Sequence, residues 1–373
     1  MIKLGVKSAP TFKKLFITVS GLFIFQLALF IAGGHSNFIE VWYTHGLYSI
    51  ISGITHTLSG WIPFSIGDIL YIGVIIICIH TVWKLITHAI SRRWGKLGLG
   101  LLKLIIGLQL FIVAFYLLWG LNYSRPAVSK ILNLPDDPYT VSQLTATTNL
   151  LIDSVNARRA LLNQVDWQTS NSRIFQSAKK ATEILGKNQP AFRSYNPAAK
   201  RALFTPVLNY MGTAGYFNPF TGEAQVNYSM PLVNRPVTAC HEMAHQMGFA
   251  REDEANFIGF IAGINSTDHL LRYSAYYMAM EEFLHQARLR DTVLFHHLKS
   301  RISIPVKQDM KADRAYWLRY QNQIGYVTSL FYDQFLKANK QPDGLQSYNR
   351  MINLTMAYYK QDNKLKIQHE FKR

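Results

Sequence analysis

Two histidines four residues apart, His241 and His245, enclose a glutamate in the segment His241-Glu242-Met243-Ala244-His245. On a helix, residues four apart lie on one face, one turn above the other, so both imidazoles can reach a single ion. Zn2+ suits such a site, because it accepts imidazole nitrogens and a carboxylate in a tetrahedron that leaves one position for water. Glu242 follows the first ligand and stands beside the ion rather than pointing at it, where it can take a proton from the attacking water. This is the equipment of amide hydrolysis. The local sequence favours a helix, with Asn234 and Pro236 at its start, Val237, Met243, Ala244 and Met247 as apolar positions, and Gly248 as its stop.

A third protein ligand is expected from Arg251-Glu252-Asp253-Glu254-Ala255-Asn256, which opens a second helix after the glycine turn. Glu252 is favoured, since Asn256 four residues on is a polar group able to orient a histidine. Glu254, with Ile258 in that place, is the alternative. Asp253 points about 100° away from either neighbour and fits least. Hydrolysis also benefits from a donor opposite the metal, for which His269, Arg272, Tyr273 and Tyr276 are candidates. The segment from Tyr216 to Asn227 reads as a hairpin, with turn signals at Asn218-Pro219 and Thr221-Gly222 and a returning strand Glu223-Ala224-Gln225-Val226-Asn227. Were that strand an edge beside the site, it would hold an extended peptide by main-chain hydrogen bonds. A purely structural hairpin is the other reading.

The elements that must position these residues divide into a membrane part and a globular part. Of 373 residues, 49% are hydrophobic and 16% charged, while the mean hydropathy of +0.03 is too low for a chain that is membrane throughout. The apolar residues gather at the front, in runs at about 15–34, 69–86 and 104–121, each long enough to span a bilayer as a helix. Trp42, Tyr43 and Trp61 precede the second run, and Trp119 and Tyr123 close the third, as headgroup-level aromatics do. Residues 47–63 are moderately apolar and suit the interface. Lys3, Lys7, Lys13 and Lys14 precede the first run, and Lys84, Arg92, Arg93, Lys96 and Lys103 surround the link between the second and third. The stretch 34–68 has no Lys or Arg. This asymmetry predicts a cytoplasmic N-terminus, an uncleaved first span and an extracytoplasmic domain after the third, on a multi-pass protein of the cytoplasmic membrane.

Residues 1–123 thus form an anchor, 124–139 a turn-rich linker and 140–373 the domain. Thr140 and Gln143 make a capping box ahead of the first domain helix. Amphipathic patterns follow at 172–187, 268–289, 307–321, 324–338 and 345–360, with strand-like runs only around 204–228. The expected fold is mainly α with a small β element. Net charge is +17, yet no zinc-finger spacing, RNP motif or sustained basic helix accompanies it, so nucleic acid is not an expected partner. The two cysteines, Cys78 in an apolar run and Cys240 beside His241, exclude a disulfide framework and a cysteine-based metal site.

The 241–256 stretch resembles zincin metallopeptidases of the gluzincin type, whose second helix carries E-x-x-[AS]-[DN], matched by Glu252, Ala255 and Asn256. More broadly the chain is similar to an uncharacterised family of bacterial integral-membrane proteins, domain of unknown function 3810. That resemblance runs through 119–126, 216–227, 241–260 and 344–359. It implies a zincin-like fold, one zinc per chain and a substrate-holding strand, although most gluzincins place their third ligand much further along the chain. The expected function is a membrane-anchored zinc peptidase acting on a peptide or protein. A zinc amidase on cell-wall peptides, or a non-catalytic zinc-binding scaffold or signalling protein, are the competing readings; the retained Glu242 speaks against the last, because a structural site has no use for a base.

Overall fold

The computed structural model describes residues 12–135, 137–341 and 348–370. Lys3, Lys7 and the first four residues of 344–359 lie outside the described residues. Three helices are long and apolar enough to cross a membrane: α1 (Phe12–Ala32), α4 (Ile66–Ile90) and α5 (Trp94–Leu118). Between α1 and α4 come the short α2 (Ser36–Phe38), a wide-turn helix over Ile39–Tyr48 and α3 (Ser49–Gly60). The third span begins ten residues before its expected start. Its early glycines would weaken a helix in water, but in hydrocarbon the backbone must satisfy its hydrogen bonds internally. Inside the spans, Gln26 Nε2 donates to the Gln109 carbonyl (3.2 Å) and Gln109 Nε2 to that of Val19 (3.1 Å), fastening α1 to α5.

A 3-10 turn over Gly120–Ser124 leads from α5 into α6 (Val128–Ile131). Within the expected linker 124–139, Ser124, Arg125, Val128 and Leu134 are buried. The segment 47–63 is likewise docked on protein: His56 Nδ1 lies 2.6 Å from the Tyr195 carbonyl, and Lys200 Nζ donates to that of Ser59 at 2.7 Å.

The domain opens with α7 (Val141–Ala160), whose Thr140–Gln143 capping box is formed as the sequence predicts. After α8 (Gln164–Trp167) come α9 (Asn171–Asn188), β1 (Ala199–Arg201), α10 (Thr205–Met211), β2 (Gly215–Asn218) and β3 (Glu223–Val226). The run at 204–228 is therefore strand only in its second half. Pro206 in the first turn of α10 and Gly212 beyond its end, at φ +69°, give that segment the two ends of a helix. Beyond the sheet lie α11 (Arg235–Gln246), α12 (Glu252–Ile264), α13 (His269–Arg290), α14 (Thr292–Ser300), α15 (Ile304–Arg319), α16 (Gln323–Ala338) and α17 (Tyr348–Glu370). The chain is mainly α, as expected. Its core centres on α12, whose apolar stretch after Asn256 buries Phe257, Ile258, Phe260 and Ile261 among its neighbours.

The sheet order is β1-β3-β2, with β1 parallel and β2 antiparallel to β3. The strand containing Glu223, Ala224, Gln225 and Val226 is thus central and buried, and cannot be the substrate-holding edge. Glu223 instead serves the anchor, where its carboxylate accepts from the backbone N–H of Ile66 (3.1 Å) and Gly67 (2.6 Å) and from Lys200 Nζ (2.7 Å). An acid from the sheet therefore caps the N-terminus of a membrane span. Asn227, just past the strand, donates its side-chain amide to Asn209 Oδ1 at 2.7 Å and is equally committed.

Candidate metal centre

The histidine pair sits on α11, which starts with Pro236 in its first turn and ends at Gly248, where φ is +81°. A β-carbon at Gly248 would also come within 3.0 Å of Asn122 Oδ1 and 3.1 Å of the Tyr48 ring, so glycine is required there twice over. The reversal lays α12 against α11. At Gly259 the helices cross so closely that a β-carbon would lie 3.2 Å from the His241 backbone nitrogen. This close crossing brings the first turn of α12 level with the histidines.

Nε2 of His241 and Nε2 of His245 are 3.2 Å apart. Glu252 places one oxygen 3.2 Å from His241 Nε2 and the other 3.6 Å from His245 Nε2. Ligands about 2.0–2.2 Å from zinc in a tetrahedron stand about 3.3–3.5 Å from one another. The two distances from His241 are close to that spacing, while His245 is approached by the other Glu252 oxygen; taking one ligand atom from each, His241, His245 and Glu252 form a metal-capable cluster within 4.8 Å among the described residues. Each imidazole is turned toward it by its other nitrogen: His241 Nδ1 lies 2.7 Å from Asn256 Oδ1, and His245 Nδ1 2.7 Å from the Phe249 carbonyl. Both partners are acceptors, so both Nδ1 atoms donate to them and both Nε2 atoms are turned toward the common point. Glu254 is turned elsewhere, its Oε1 accepting from the Val128 N–H at 2.9 Å.

Glu242 is buried, with no hydrogen-bond partner for Oε2. Its Oε1 occupies space opened by Gly215 of β2, where a β-carbon would come within 2.7 Å. Without an ion the charges interlock. Burial disfavours an imidazolium at His241, but its hydrogen bond to Glu252 and the charges of Glu242 and Glu252 prevail and push its pKa up to about 9. Burial takes His245 down to about 4, the His241 charge adding to the effect and Glu252 and the Phe249 carbonyl opposing it without overcoming it. Burial would raise Glu252, yet the two histidines hold it down at about 2. Burial pushes Glu242 up to about 8, Glu252 adding to the effect and His241 opposing it. Glu242 Oε2 is thus a buried carboxyl oxygen without a donor, beside the cluster of His241, His245 and Glu252.

The membrane anchor closes the far end of α11. Trp119 Nε1 donates to the His245 carbonyl (3.0 Å), Tyr48 Oη to that of Gln246 (2.9 Å) and Arg125 Nη1 to that of Met247 (3.0 Å). Carbonyls left over at a helix end are thereby satisfied, and a cation stands at the negative pole. Arg125 is held by a two-point bond to Glu40 at 2.8 and 2.9 Å. The Trp119 ring meets His245 edge-on at 5.9 Å.

The expected oxyanion donors are not brought to the cluster. Tyr273 Oη donates to Asp309 Oδ2 at 2.6 Å, and the Tyr276 ring packs against Phe260. His269 is exposed, and neither it nor Arg272 bonds to the cluster among the described residues. The reason is helix geometry: α13 meets α12 around Gly263, where Ala275 fills the space of a β-carbon. That contact is eleven residues, or roughly 16 Å, from Glu252. The hydroxyl that does reach the site is that of Tyr332 on α16, which donates to Glu252 Oε1 at 2.7 Å. No spacing in the sequence links Tyr332 to the motif, 80 residues away in the chain.

No curated protein and no solved structure matches this chain. The family described as Protein of unknown function (DUF3810) matches residues 43–356, which include the second and third spans, all three residues of the cluster and the segments that cap α11, and the chain belongs to that family.

Proposed function

We propose that the chain is a membrane-anchored zinc metallohydrolase that cleaves peptide bonds. The observation that carries this reading is the triangle of His241, His245 and Glu252 with the unpartnered Glu242 carboxyl beside it. Zinc, when bound, supplies Lewis acidity that makes water a nucleophile near neutral pH and polarises the scissile carbonyl. His241, His245 and Glu252 hold the ion, while Asn256 and the Phe249 carbonyl keep the rings aimed. Glu242 takes one proton from the attacking water as its oxygen bonds to the carbonyl carbon, then delivers it to the departing amine as the C–N bond breaks. Tyr332 fixes the carboxylate of Glu252 by its short hydrogen bond.

The edge that can align a substrate is β2 rather than β3. Ala214 bonds toward β3 through its carbonyl, 2.9 Å from the Asn227 N–H, and antiparallel pairing alternates, so the main chain of Gly215 and Phe217 faces away from the sheet. Gly215 is also the residue beside Glu242. An extended peptide paired there passes the base directly.

We further infer a protein of the cytoplasmic membrane with the cluster outside. Tyr48 bonds to Gln246 and Arg125 to Glu40, so the segments after the first and third spans share one side. The opposite side carries Lys13, Lys14, Arg92 and Arg93, the mark of a cytoplasmic face. Alkaline phosphatase fused after residue 373 should be active in cells; an inactive fusion beside an active cytoplasmic reporter would reverse the orientation. Elemental analysis of the purified full chain should give about one zinc, lost in His241→Ala, His245→Ala and Glu252→Ala and kept in Glu254→Ala. Zinc retained by Glu252→Ala would overturn the ligand set.

A further inference from the structure

A cavity of about 290 Å³ opens where the outer ends of the anchor meet the domain. Four cations from three segments line it, Arg125 and Lys130, Arg251, and Lys340, and among the described residues no carboxylate does. Arg125 is committed to Glu40, and Arg251 leans on Glu254 at 3.4 Å. Lys130 and Lys340 have no acidic partner among the described residues. Lys340 Nζ bonds only to neutral oxygens, the Gly33 carbonyl and Ser124 Oγ, the latter at 2.9 Å. Burial and the neighbouring Arg251 charge both lower its pKa, as they do when cations crowd together without a counter-ion. The cavity therefore presents excess positive charge, free N–H donors and a hydroxyl at one point.

Its height in the membrane is fixed by its walls. Gly33 directly follows the end of α1, and Ser124 closes the turn after α5. Lys340 follows α16, whose end is pinned to the last turns of α5: Tyr116 Oη donates to Asn339 Oδ1 at 3.2 Å, and the Phe335 and Phe115 rings are 6.0 Å apart. From there α16 exposes Ile324, Val327 and Phe331, three and four residues apart, with Phe331 75% exposed. An exposed apolar stripe on a helix pinned to the outer end of α5 suits the interface, which sets the cavity at headgroup level.

We propose that this cavity binds a phosphate ester anion, carried at this height by the headgroup of an anionic membrane lipid. A phosphodiester supplies the negative charge that Lys130 and Lys340 lack among the described residues, with further acceptor oxygens for Arg251, and basic pockets between membrane helices recognise headgroups in this way. The site stands beside the metal cluster in the chain, since Arg251 immediately precedes Glu252, but its occupancy does not depend on zinc or on hydrolysis.

The full chain, reconstituted in mixed phosphatidylglycerol and phosphatidylcholine and released into native mass spectrometry, should retain phosphatidylglycerol preferentially. Lys130→Gln with Lys340→Gln should reduce that preference about thirtyfold, roughly fivefold for each cation removed at the membrane surface. Lys180→Gln with Lys187→Gln, which removes the same charge from α9, should leave it unchanged. A parallel titration with inorganic phosphate separates the sources: binding of free phosphate lost only in the 130/340 variant, with no lipid preference, would keep the phosphate site and assign it a soluble ligand. Equal lipid retention and equal phosphate binding by wild type and both double variants would overturn the proposal.

Discussion

Replacing Asn256 isolates the part of the centre that aims a ligand without being one. In the folded chain His241 Nδ1 is 2.7 Å from Asn256 Oδ1, and that contact decides both which nitrogen is protonated and how the ring stands. Asn256→Ala removes the only acceptor held against Nδ1, so the ring can turn and the other tautomer becomes accessible. Partners of this kind are worth about 10–100-fold in metal affinity, or about 1.4–2.7 kcal/mol. Asn256→Asp keeps an acceptor at the same reach and adds a charge, and should bind zinc at least as tightly as the wild type. His245 serves as the internal reference, because its Nδ1 bonds to the Phe249 carbonyl, which no side-chain substitution removes. Competition between the full chain in detergent and a calibrated chelator gives the three affinities, with circular dichroism confirming that each variant is folded. A folded Asn256→Ala protein with wild-type zinc affinity would refute the reasoning, and so would an Asn256→Asp protein as weak as the alanine variant.

Other perturbations address the base, the proton balance and the anchor. Gly215→Ala places a β-carbon within 2.7 Å of both Glu242 Oε1 and the Gln225 carbonyl; overpacking of this kind costs about 1–3 kcal/mol. Because the carbonyl is main chain, Glu242 must yield, and hydrolysis should fall roughly 100-fold with zinc retained; zinc loss in the same sample would show that Gly215 supports the ligands instead. The pKa of free His241 is raised to about 9, so below that pH a proton competes with the metal. Zinc binding near pH 7 should therefore release about one proton or more, seen as a buffer-dependent calorimetric enthalpy, and the apparent affinity should rise with pH and level off near 9. An enthalpy independent of buffer would contradict the charge state assigned to the free site. Arg125→Met strands Glu40 and frees the Met247 carbonyl; with Glu40 partly exposed, the loss should fall near the low end of the range for a broken buried pair, about 3 kcal/mol. Thermal unfolding of the full chain checks this, and an unchanged midpoint would mean that the anchor does not brace α11.

What the sequence makes legible is whatever local pattern specifies. The spacing of His241, Glu242 and His245 places all three on one turn and a half of helix, and the i, i+4 relation of Glu252 and Asn256 puts the ligand on the same helix as the residue that orients His241. The three spans, the capping box at Thr140 and the long amphipathic helices are equally local signals. What it conceals depends on contacts between distant segments. Tyr48, Trp119 and Arg125 satisfy the carbonyls of α11 across separations of more than 100 residues, and nothing in their own neighbourhoods announces it. Glu223 reads as a polar position on a strand, although its carboxylate closes the start of α4. Its strand reads as an edge because the partner that makes it central, β1, is only three residues long and has no alternating pattern to reveal it. The helix α13 is expected at the cluster because it follows α12 in sequence, yet it meets the opposite end of that helix.

The most direct test of the central claim is Glu242→Gln in the full chain, with zinc content and cleavage of a diverse peptide panel measured in the same samples. The amide nearly preserves the shape of a side chain already buried without a donor, but it cannot accept a proton from water. The account predicts about one zinc per chain in both proteins and a loss of about 10²–10⁴-fold in cleavage by the variant. A zinc-replete Glu242→Gln protein that cuts at the wild-type rate, or a zinc-replete wild type that cuts nothing in the panel, would contradict it.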